Sequence, residues 1–252
     1  MEFKYFGFSD VGKSRNKNED SYLCSEKEKL FVVADGIGGH ASGNTASQLA
    51  VKSLEEFVIK SRGEVGKRPK QLREGLTLEQ NRLLAGALFA NKRVYDAAHA
   101  DPEKRGMGTT LVGVIVDGDH LAVVNVGDSR LYRVRDREIE QITQDHSLVG
   151  EQTRKGLITE EDAKKHPQRN ILTSALGVYK KPEIDVSRLE ILPEDLFLIC
   201  SDGLYHMIDN RKILENIKAI DDRSLYKIGL SLVLEANLAG GKDNITVILL
   251  EF

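Results

Sequence analysis

Four aspartates lie at the ends of short apolar runs, where their carboxylates could together hold metal ions. Asp35 ends the run LFVVAD, Asp128 ends AVVNVGD, Asp202 ends LFLICSD, and Asp243 stands just before ITVILL. A carboxylate at the end of a buried strand is fixed by the core behind it and open to solvent in front. Because hard divalent cations prefer oxygen ligands, these four side chains could converge on such ions.

A simple turn is the alternative reading of each motif. Asp-Gly is among the commonest turn dipeptides, and most instances carry no chemistry. Asp117–Gly118–Asp119, between LVGVIV and HLAVV, is typical of a two-residue hairpin turn that needs no function. The occurrence of four aspartates at apolar strand ends favours a metal site over four unrelated turns.

The composition is that of a globular domain. The chain has 252 residues, of which 40% are hydrophobic and 30% are charged, so we expect one domain over residues 1–252. Its net charge of −3 is spread over interspersed acids and bases, which argues against nucleic acid or an anionic membrane as the main partner. No apolar run is long enough to cross a bilayer and the first residues do not have the layout of a signal peptide, so we expect a cytoplasmic protein without membrane insertion. We also expect a monomer.

The two cysteines do not suggest a zinc site. Cys24 and Cys200 lie in apparent strands, where a reduced cysteine usually serves as a small buried hydrophobe. A two-cysteine zinc site stays open as an alternative, although no CxxC or HxxxH spacing supports it.

Helices and antiparallel strands occur in blocks rather than in strict alternation, which favours an α+β fold with two packed sheets and helices outside. Strands are predicted near 2–9, 20–25, 29–34, 109–116, 120–126, 130–135, 138–142, 183–190, 195–201 and 244–251. Helices are predicted near 42–60, 76–100, 210–218 and 223–238. In the segment ITEEDAKKH, Thr159 and Asp162 have the spacing of a capping box for one further short helix.

Eight segments in order and spacing resemble the metal-dependent serine/threonine phosphatases of type 2C, and most closely their bacterial members. No single segment is decisive, but together they cover nearly the whole chain. They are SDVGKSRNKNEDS (9–21), VVADGIGGHASG (32–43), GMGTTL (106–111), NVGDSRLY (125–132), ITQDHSL (142–148), HPQRNILTSALG (166–177), LICSDGL (198–204) and GGKDNITV (240–247).

The resemblance implies a four-layer α-β-β-α sandwich, in which two antiparallel sheets are flanked by helix pairs. It also implies a flap-like segment at about 145–170 within a single catalytic domain. The implied activity is hydrolysis of phosphoserine and phosphothreonine in proteins, which reverses serine/threonine kinase signalling. Phosphorylated proteins, including a cognate serine/threonine kinase, are the implied partners.

The implied cofactors are two Mn²⁺ or Mg²⁺ ions. By resemblance, Asp35 bridges both ions, the Gly36 carbonyl binds the second, and Asp202 and Asp243 bind the first. Two such ions share a water, lower its pKa and present hydroxide to the phosphoester, so no enzyme nucleophile is required. This agrees with a site of carboxylates rather than cysteine.

Two residues are similar to the family's groups that act on substrate. Arg15 matches a phosphate-binding arginine, whose guanidinium can hold two phosphoryl oxygens at once. Without the resemblance, Arg15 would be read as an ordinary exposed arginine. His40, in GIGGH, matches a general acid for the departing seryl or threonyl oxygen, with a structural histidine as the alternative.

Four further residues complete the implied site. Glu19 and Asp20 are expected to orient metal-bound waters, with a strand-edge acidic pair as the alternative. Asp128 matches a ligand of a third ion. Asn170 stands where other members place an acid, and an amide oxygen coordinates more weakly than a carboxylate, so a third ion should bind less tightly.

Two other functions remain open from the sequence. A catalytically inactive relative could serve as a binding module, although Asp35, Asp202 and Asp243 are all present and an inactive relative usually loses such a ligand. A hydrolase of small phosphoesters could use the same centre, because flap shape and surface charge decide the substrate.

Overall fold

A computed structural model of the chain describes residues 2–38, 42–63, 73–220 and 223–252. The strands in this part are β1 (Lys4–Asp10), β2 (Ser21–Ser25), β3 (Leu30–Ala34), β4 (Gly36–Ile37), β5 (Gly108–Thr109), β6 (Leu111–Asp117), β7 (His120–Val126), β8 (Arg130–Arg135), β9 (Glu138–Gln141), β10 (Asp185–Glu190), β11 (Leu196–Cys200) and β12 (Ile245–Glu251). The helices are α1 (Ser42–Gly63), α2 (Leu78–Ala100), α3 (Leu148–Arg154), α4 (Glu160–Lys165), α5 (Asp202–Tyr205), α6 (Asn210–Lys218) and α7 (Leu225–Leu238).

Ten of the strands form two antiparallel sheets of five. The first sheet has the order β1-β12-β11-β8-β9, and the second has the order β10-β7-β6-β3-β2. Strands β4 and β5 form a separate two-stranded ribbon.

The sheets are buried on both faces, which makes four layers. In β3, Phe31 and Val33 belong to the core between the sheets, whereas Leu30, Val32 and Ala34 belong to the core shared with α1 and α2. This alternation follows from the two-residue period of a strand. In the first sheet, β11 and β12 divide their side chains in the same way between the intersheet core and a core shared with α5, α6 and α7.

The structure confirms the predicted four-layer sandwich of two antiparallel sheets flanked by helices. The predicted strands and long helices differ from the observed ones only in their terminal residues. The sequence did not reveal α3, α5 or the ribbon of β4 and β5, because helices of four to seven residues and strands of two residues are too short for hydrophobic periodicity to show.

Two local predictions are also confirmed. Asp117 pairs with His120 across the hairpin of β6 and β7, with Gly118 at a φ of 65° in the turn. At the start of α4, the Thr159 hydroxyl accepts a hydrogen bond from the Asp162 amide, and the Asp162 carboxylate accepts one from the Thr159 amide. Thr159 and Asp162 thus form the predicted capping box.

Cys24 and Cys200 are free thiols; Cys200 is buried and Cys24 is half-buried. Across the described ranges, every helix is too short or too polar to cross a bilayer.

Candidate metal centre

The sheet topology brings the four strand-end aspartates to the same end of the sandwich. In the second sheet, β3 and β7 run in the same direction on either side of β6. Asp35 and Asp128 follow the carboxyl ends of these strands and therefore lie at the same end of the sheet. In the first sheet, β11 and β12 are antiparallel neighbours, so Asp202 follows the end of one and Asp243 precedes the start of the other. Packing of the two sheets then places the four carboxylates within electrostatic range of one another.

Thr110 holds the backbone on which Asp35 stands. Its hydroxyl accepts a hydrogen bond from the Asp35 amide at 2.9 Å, and its own amide donates to the Asp35 carbonyl at 2.9 Å. The same hydroxyl lies 2.7 Å from the Ser129 hydroxyl, next to Asp128. Thr110 therefore links the backbone of Asp35 to Ser129, the residue that follows Asp128.

Asp35 and Asp202 share the centre of the cluster. The imidazole Nδ1 of His206 lies 3.1 Å from Asp202 Oδ2. Burial alone would raise the pKa of Asp202, but the hydrogen bond and charge of His206, with a hydrogen bond to Asp35, hold that pKa below its ordinary value. Among the described residues, no hydrogen-bond partner reaches the buried Asp202 Oδ1.

Burial raises the pKa of Asp35 well above its ordinary value, and the negative charges of four neighbouring aspartates raise it further. The four are Asp20, Asp202, Asp128 and Asp243. So many buried acids cannot all ionise unless a cation neutralises them. The donor set is made of oxygens, one of which is an unpartnered buried carboxylate oxygen, so it fits hard divalent ions such as Mn²⁺ or Mg²⁺.

Asp20 lies behind the cluster and is held by two hydroxyl groups. Its Oδ2 accepts hydrogen bonds from Ser201 at 2.8 Å and from Thr246 at 2.6 Å. Burial, with the charges of Asp202 and Asp243, raises the pKa of Asp20 to about 7 despite these bonds. Because Ser201 directly precedes Asp202, Asp20 is joined through one side chain to the backbone of that aspartate.

Gly36 sits where no side chain would fit. A Cβ atom there would come within 2.3 Å of the Gly43 carbonyl oxygen and 2.5 Å of the Glu19 carbonyl oxygen. The Gly36 carbonyl oxygen and Glu19 Oε2 both lie within 2.8 Å of the point that a Cβ of Gly43 would occupy. Glu19 therefore presents its carboxylate beside the Gly36 carbonyl, and burial raises the pKa of Glu19 above its ordinary value.

Arg15 reaches the cluster from its open side. Its Nη2 donates to Asp243 Oδ2 at 2.7 Å, and both side chains are partly exposed, at 52% and 36%. Asn244 fixes the two loops that meet here, because its side chain accepts from the Glu19 amide and donates to the carbonyls of Val11 and Lys17.

The carbonyl of Asp128 is anchored to α5. The Tyr205 hydroxyl donates to it at 3.0 Å, and the guanidinium of Arg130 stacks on the Tyr205 ring, 3.6 Å from its centroid. Arg130 is itself fixed by a bidentate ion pair with Asp145. Burial raises the pKa of Asp128 to about 7, and the charges of Asp202 and Asp145 contribute to the shift.

Two predicted site residues are not placed at the cluster. Asn170 is exposed in the turn after α4, and its neighbour Arg169, rather than Asn170 itself, lines the cavity beside Asp128. His40 falls outside the described residues. The predicted roles of Asn170 and His40 therefore stay predictions.

A protein-family model described as protein phosphatase 2C matches residues 12–225. The chain belongs to the protein phosphatase 2C family. A serine/threonine phosphatase stp of Listeria innocua is 37% identical over 248 residues, which cover 96% of this chain and 93% of that relative. The structure also resembles the crystal structure of the Mycobacterium tuberculosis serine/threonine phosphatase PstP/Ppp, with a TM-score of 0.86 at 32% identity and coverage of 99% and 98%. A structure of the catalytic domain of PstP in complex with 2 manganese ions matches with a TM-score of 0.82 at 30% identity, covering 99% of this chain and 97% of that one.

Membership in the protein phosphatase 2C family confirms the resemblance drawn from the eight motifs, and it makes the chain a protein phosphatase of this type. The sequence interpretation missed several residues around the centre, notably His206, Thr110, Asn244 and Tyr205. A signal for His206 was available, because a histidine four residues after Asp202 on a helix faces the same side. The other three sit inside or beside the quoted motifs, but their partners are far away in sequence.

A second group of possible ligands lies near Asp128 in this protein phosphatase 2C chain. Ligand atoms of His146, Glu183 and Asp185 lie within 4.8 Å of one another. His146 Nδ1 accepts from the Gly127 amide at 3.3 Å, so its proton is on Nε2, which lies 3.0 Å from Asp185 Oδ2. A metal at Nε2 would move that proton to Nδ1, against the Gly127 amide hydrogen. We therefore interpret His146 and Asp185 as a structural pair that holds the turn before Asp128.

Proposed function

We propose that this phosphatase hydrolyses phosphoserine and phosphothreonine in proteins with two divalent ions, Mn²⁺ or Mg²⁺, at the aspartate cluster. Asp35 and the Gly36 carbonyl, with Asp202 and Asp243, would hold the ions. The observation that supports this most is the convergence of buried carboxylates whose joint ionisation is opposed by their mutual repulsion. When bound, the ions would supply Lewis acidity and the means to activate water near neutral pH.

Arg15 is proposed to bind the phosphoryl group of the substrate. Its partly exposed guanidinium stands at the open side of the cluster with one bond to Asp243, and its remaining N–H donors are available for phosphoryl oxygens. Once Asp243 is engaged by a cation, Arg15 would be free to turn fully toward substrate. Its charge would then compensate the negative charge of the phosphoryl group.

Asp20 and Glu19 are proposed to orient metal-bound water at the aspartate cluster. Asp20 connects through Ser201 to the backbone of Asp202, and Glu19 lies beside the Gly36 carbonyl. Each can accept hydrogen bonds from water at the site, and these bonds would fix the direction from which the water attacks the phosphorus atom of the substrate. His40 remains our proposed general acid for the departing seryl or threonyl oxygen.

A third, weaker ion is proposed at Asp128, with Asn170 as its partner after movement of the flap-like segment. Asp128→Ala should slow turnover while two ions stay bound, because Asp35, Asp202 and Asp243 remain. Turnover and the manganese content of the dialysed protein measure this. Loss of both tightly bound ions in the variant would contradict the separation of the sites.

Hydrolysis of an aryl phosphate and of a phosphothreonine peptide tests the proposed function. Activity should require Mn²⁺ or Mg²⁺, disappear with chelator, and fall by orders of magnitude in Asp35→Ala. Asp96→Ala, which removes an exposed aspartate of α2, should retain wild-type activity. Activity that survives chelation or the Asp35 substitution would refute the metal mechanism. Hydrolysis of the aryl phosphate alone would favour a small-molecule phosphatase, and no hydrolysis would favour a binding module.

We further propose a cytoplasmic monomer whose phosphoprotein substrates include a serine/threonine kinase. Kinase autophosphorylation would create such substrates, and the interspersed surface charge is compatible with soluble protein partners. Loss of phosphate from an autophosphorylated serine/threonine kinase incubated with the enzyme would support this, and a stable phosphorylation state would contradict it.

A further inference from the structure

A cavity of about 640 Å³ opens beside the aspartate cluster, and Asp128 and His206 are among the residues that line it. The flap segment, defined as residues 145–170, lines part of this cavity and contributes Arg154, Lys164 and Arg169. Cavities of this size hold ligands as large as a few amino-acid residues. A protein substrate whose phosphoryl group lies at the aspartates would therefore extend its neighbouring residues along this cavity.

Outside the flap segment the cavity is lined by Arg211, which lies within ion-pair distance of Glu215, and by Arg130, which is already fully engaged. Arg130 makes a bidentate ion pair with Asp145 and donates from Nη1 to the Tyr132 hydroxyl at 2.8 Å. Its remaining surface is covered by the ring of Tyr205. Arg130 therefore has a structural role and offers little to a ligand.

The two arginines of the flap segment, Arg154 and Arg169, each make one hydrogen bond to a backbone carbonyl. Arg169 is half-buried, and its Nη1 donates only to the Lys164 carbonyl, at 2.9 Å. Arg154 donates to the Asp145 carbonyl at 3.0 Å. Across the described parts of the chain, no carboxylate lies within ion-pair distance of either guanidinium. The positive charge of Arg154 does act at longer range on the carboxylates of Glu151 and Asp185. Each guanidinium has five N–H donors, so most of them remain available.

We propose that Arg169 and Arg154 form a subsite for the carboxylate of an acidic residue close to the phosphorylated residue of the substrate. This deepens the proposed function and rests on it, because it assumes a phosphoprotein at the aspartate cluster. The planar guanidinium matches a carboxylate in a bidentate arrangement. Acids also line the cavity, including Glu160 and Asp209, and they would oppose a dianionic phosphoryl group more than a single carboxylate.

Phosphothreonine peptides that differ at one position test the subsite with the full chain and Mn²⁺. At each of the three positions on either side of phosphothreonine, alanine is exchanged for glutamate, and kcat/KM is compared within each enzyme variant. At one or more positions, glutamate should raise wild-type kcat/KM about five-fold, the size of a partly exposed ion pair, mainly through a lower KM. The ratio should approach one in Arg169→Ala and should decrease in Arg154→Ala.

A charge exchange distinguishes direct binding from a structural role of the flap segment. Arg169→Glu should prefer a lysine peptide over a glutamate peptide at the same position, which mere loosening of the segment would not produce. Arg188→Ala removes an exposed arginine of β10 outside the cavity, and should keep the wild-type ratio.

Three results would overturn the subsite. Equal kcat/KM for all peptides, with normal hydrolysis, would refute it while leaving the proposed function intact. A glutamate preference that persists in Arg169→Ala and Arg154→Ala would place the recognition elsewhere. If the chain releases phosphate from no peptide, the proposed function fails and the subsite fails with it.

Discussion

Replacing Asp20 with asparagine should stabilise the metal-free protein, and more at pH 8 than at pH 5. Asp20 is buried, its Oδ2 accepts from Ser201 and Thr246, and among the described residues its Oδ1 has no hydrogen-bond partner. Burial and nearby aspartates raise the pKa of Asp20 from 3.8 to about 7. An amide keeps an oxygen for the two hydroxyl groups and removes the buried charge.

The size of the effect follows from the shift in pKa. One unit of pKa corresponds to about 1.4 kcal/mol, so a shift from 3.8 to about 7 costs the folded state about 4 kcal/mol at pH 8. Because the folded-state pKa is the higher one, the native protein binds more protons than the unfolded chain within this window. The stability that depends on Asp20 is complete below 3.8 and is lost as the pH rises through about 7. At pH 5 the loss is only about 2 kcal/mol.

Thermal unfolding in chelator at the two pH values measures the difference. For a chain of this length about 1 kcal/mol moves the Tm by about 2–4 °C, so Asp20→Asn should melt about 10 °C above wild type at pH 8 and about half as much above it at pH 5. Asp96→Asn, an exposed substitution on α2, should change neither Tm by more than about 2 °C. A Tm for Asp20→Asn that is lower than that of wild type at pH 8, or a gain that is the same at both pH values, would refute the reasoning.

Three other substitutions have defined outcomes. Gly36→Ala places a Cβ 2.3 Å from the Gly43 carbonyl oxygen, so unfolding free energy should fall by about 3 kcal/mol and activity should be lost; wild-type stability would contradict this. Asn244→Ala removes three hydrogen bonds to Glu19, Val11 and Lys17, so denaturant unfolding should show a loss of about 3 kcal/mol, and unchanged stability would count against that anchor. Tyr205→Phe should lose about 1 kcal/mol and slow turnover, whereas equal kinetics would show that its bond to Asp128 is dispensable.

Much of the fold was predictable because successive side chains of the central strands alternate strictly between two hydrophobic cores. In β3, β11 and β12, successive side chains enter different cores, which leaves long apolar runs that end abruptly at polar residues. Those abrupt ends identified Asp35, Asp202 and Asp243 from the sequence. Antiparallel neighbours then bring the ends together without any further signal in the chain.

The partners of the site residues could not be predicted in the same way. Arg15 and Asp243 are 228 residues apart, and only the closed sandwich brings them to 2.7 Å. The pairing of Arg130 with Asp145 and Tyr205 likewise depends on how the flap segment and α5 approach β8. In the structure, the ion pair with Asp145 holds Arg130 against the ring of Tyr205.

Anomalous scattering from crystals grown with Mn²⁺ tests the central claim most directly. We predict two strong manganese peaks at the aspartate cluster, bounded by Asp35, Asp202, Asp243 and the Gly36 carbonyl. A weaker third peak beside Asp128 would agree with the account. Manganese bound only at His146, Glu183 and Asp185, or an aspartate cluster without manganese in active protein, would contradict it.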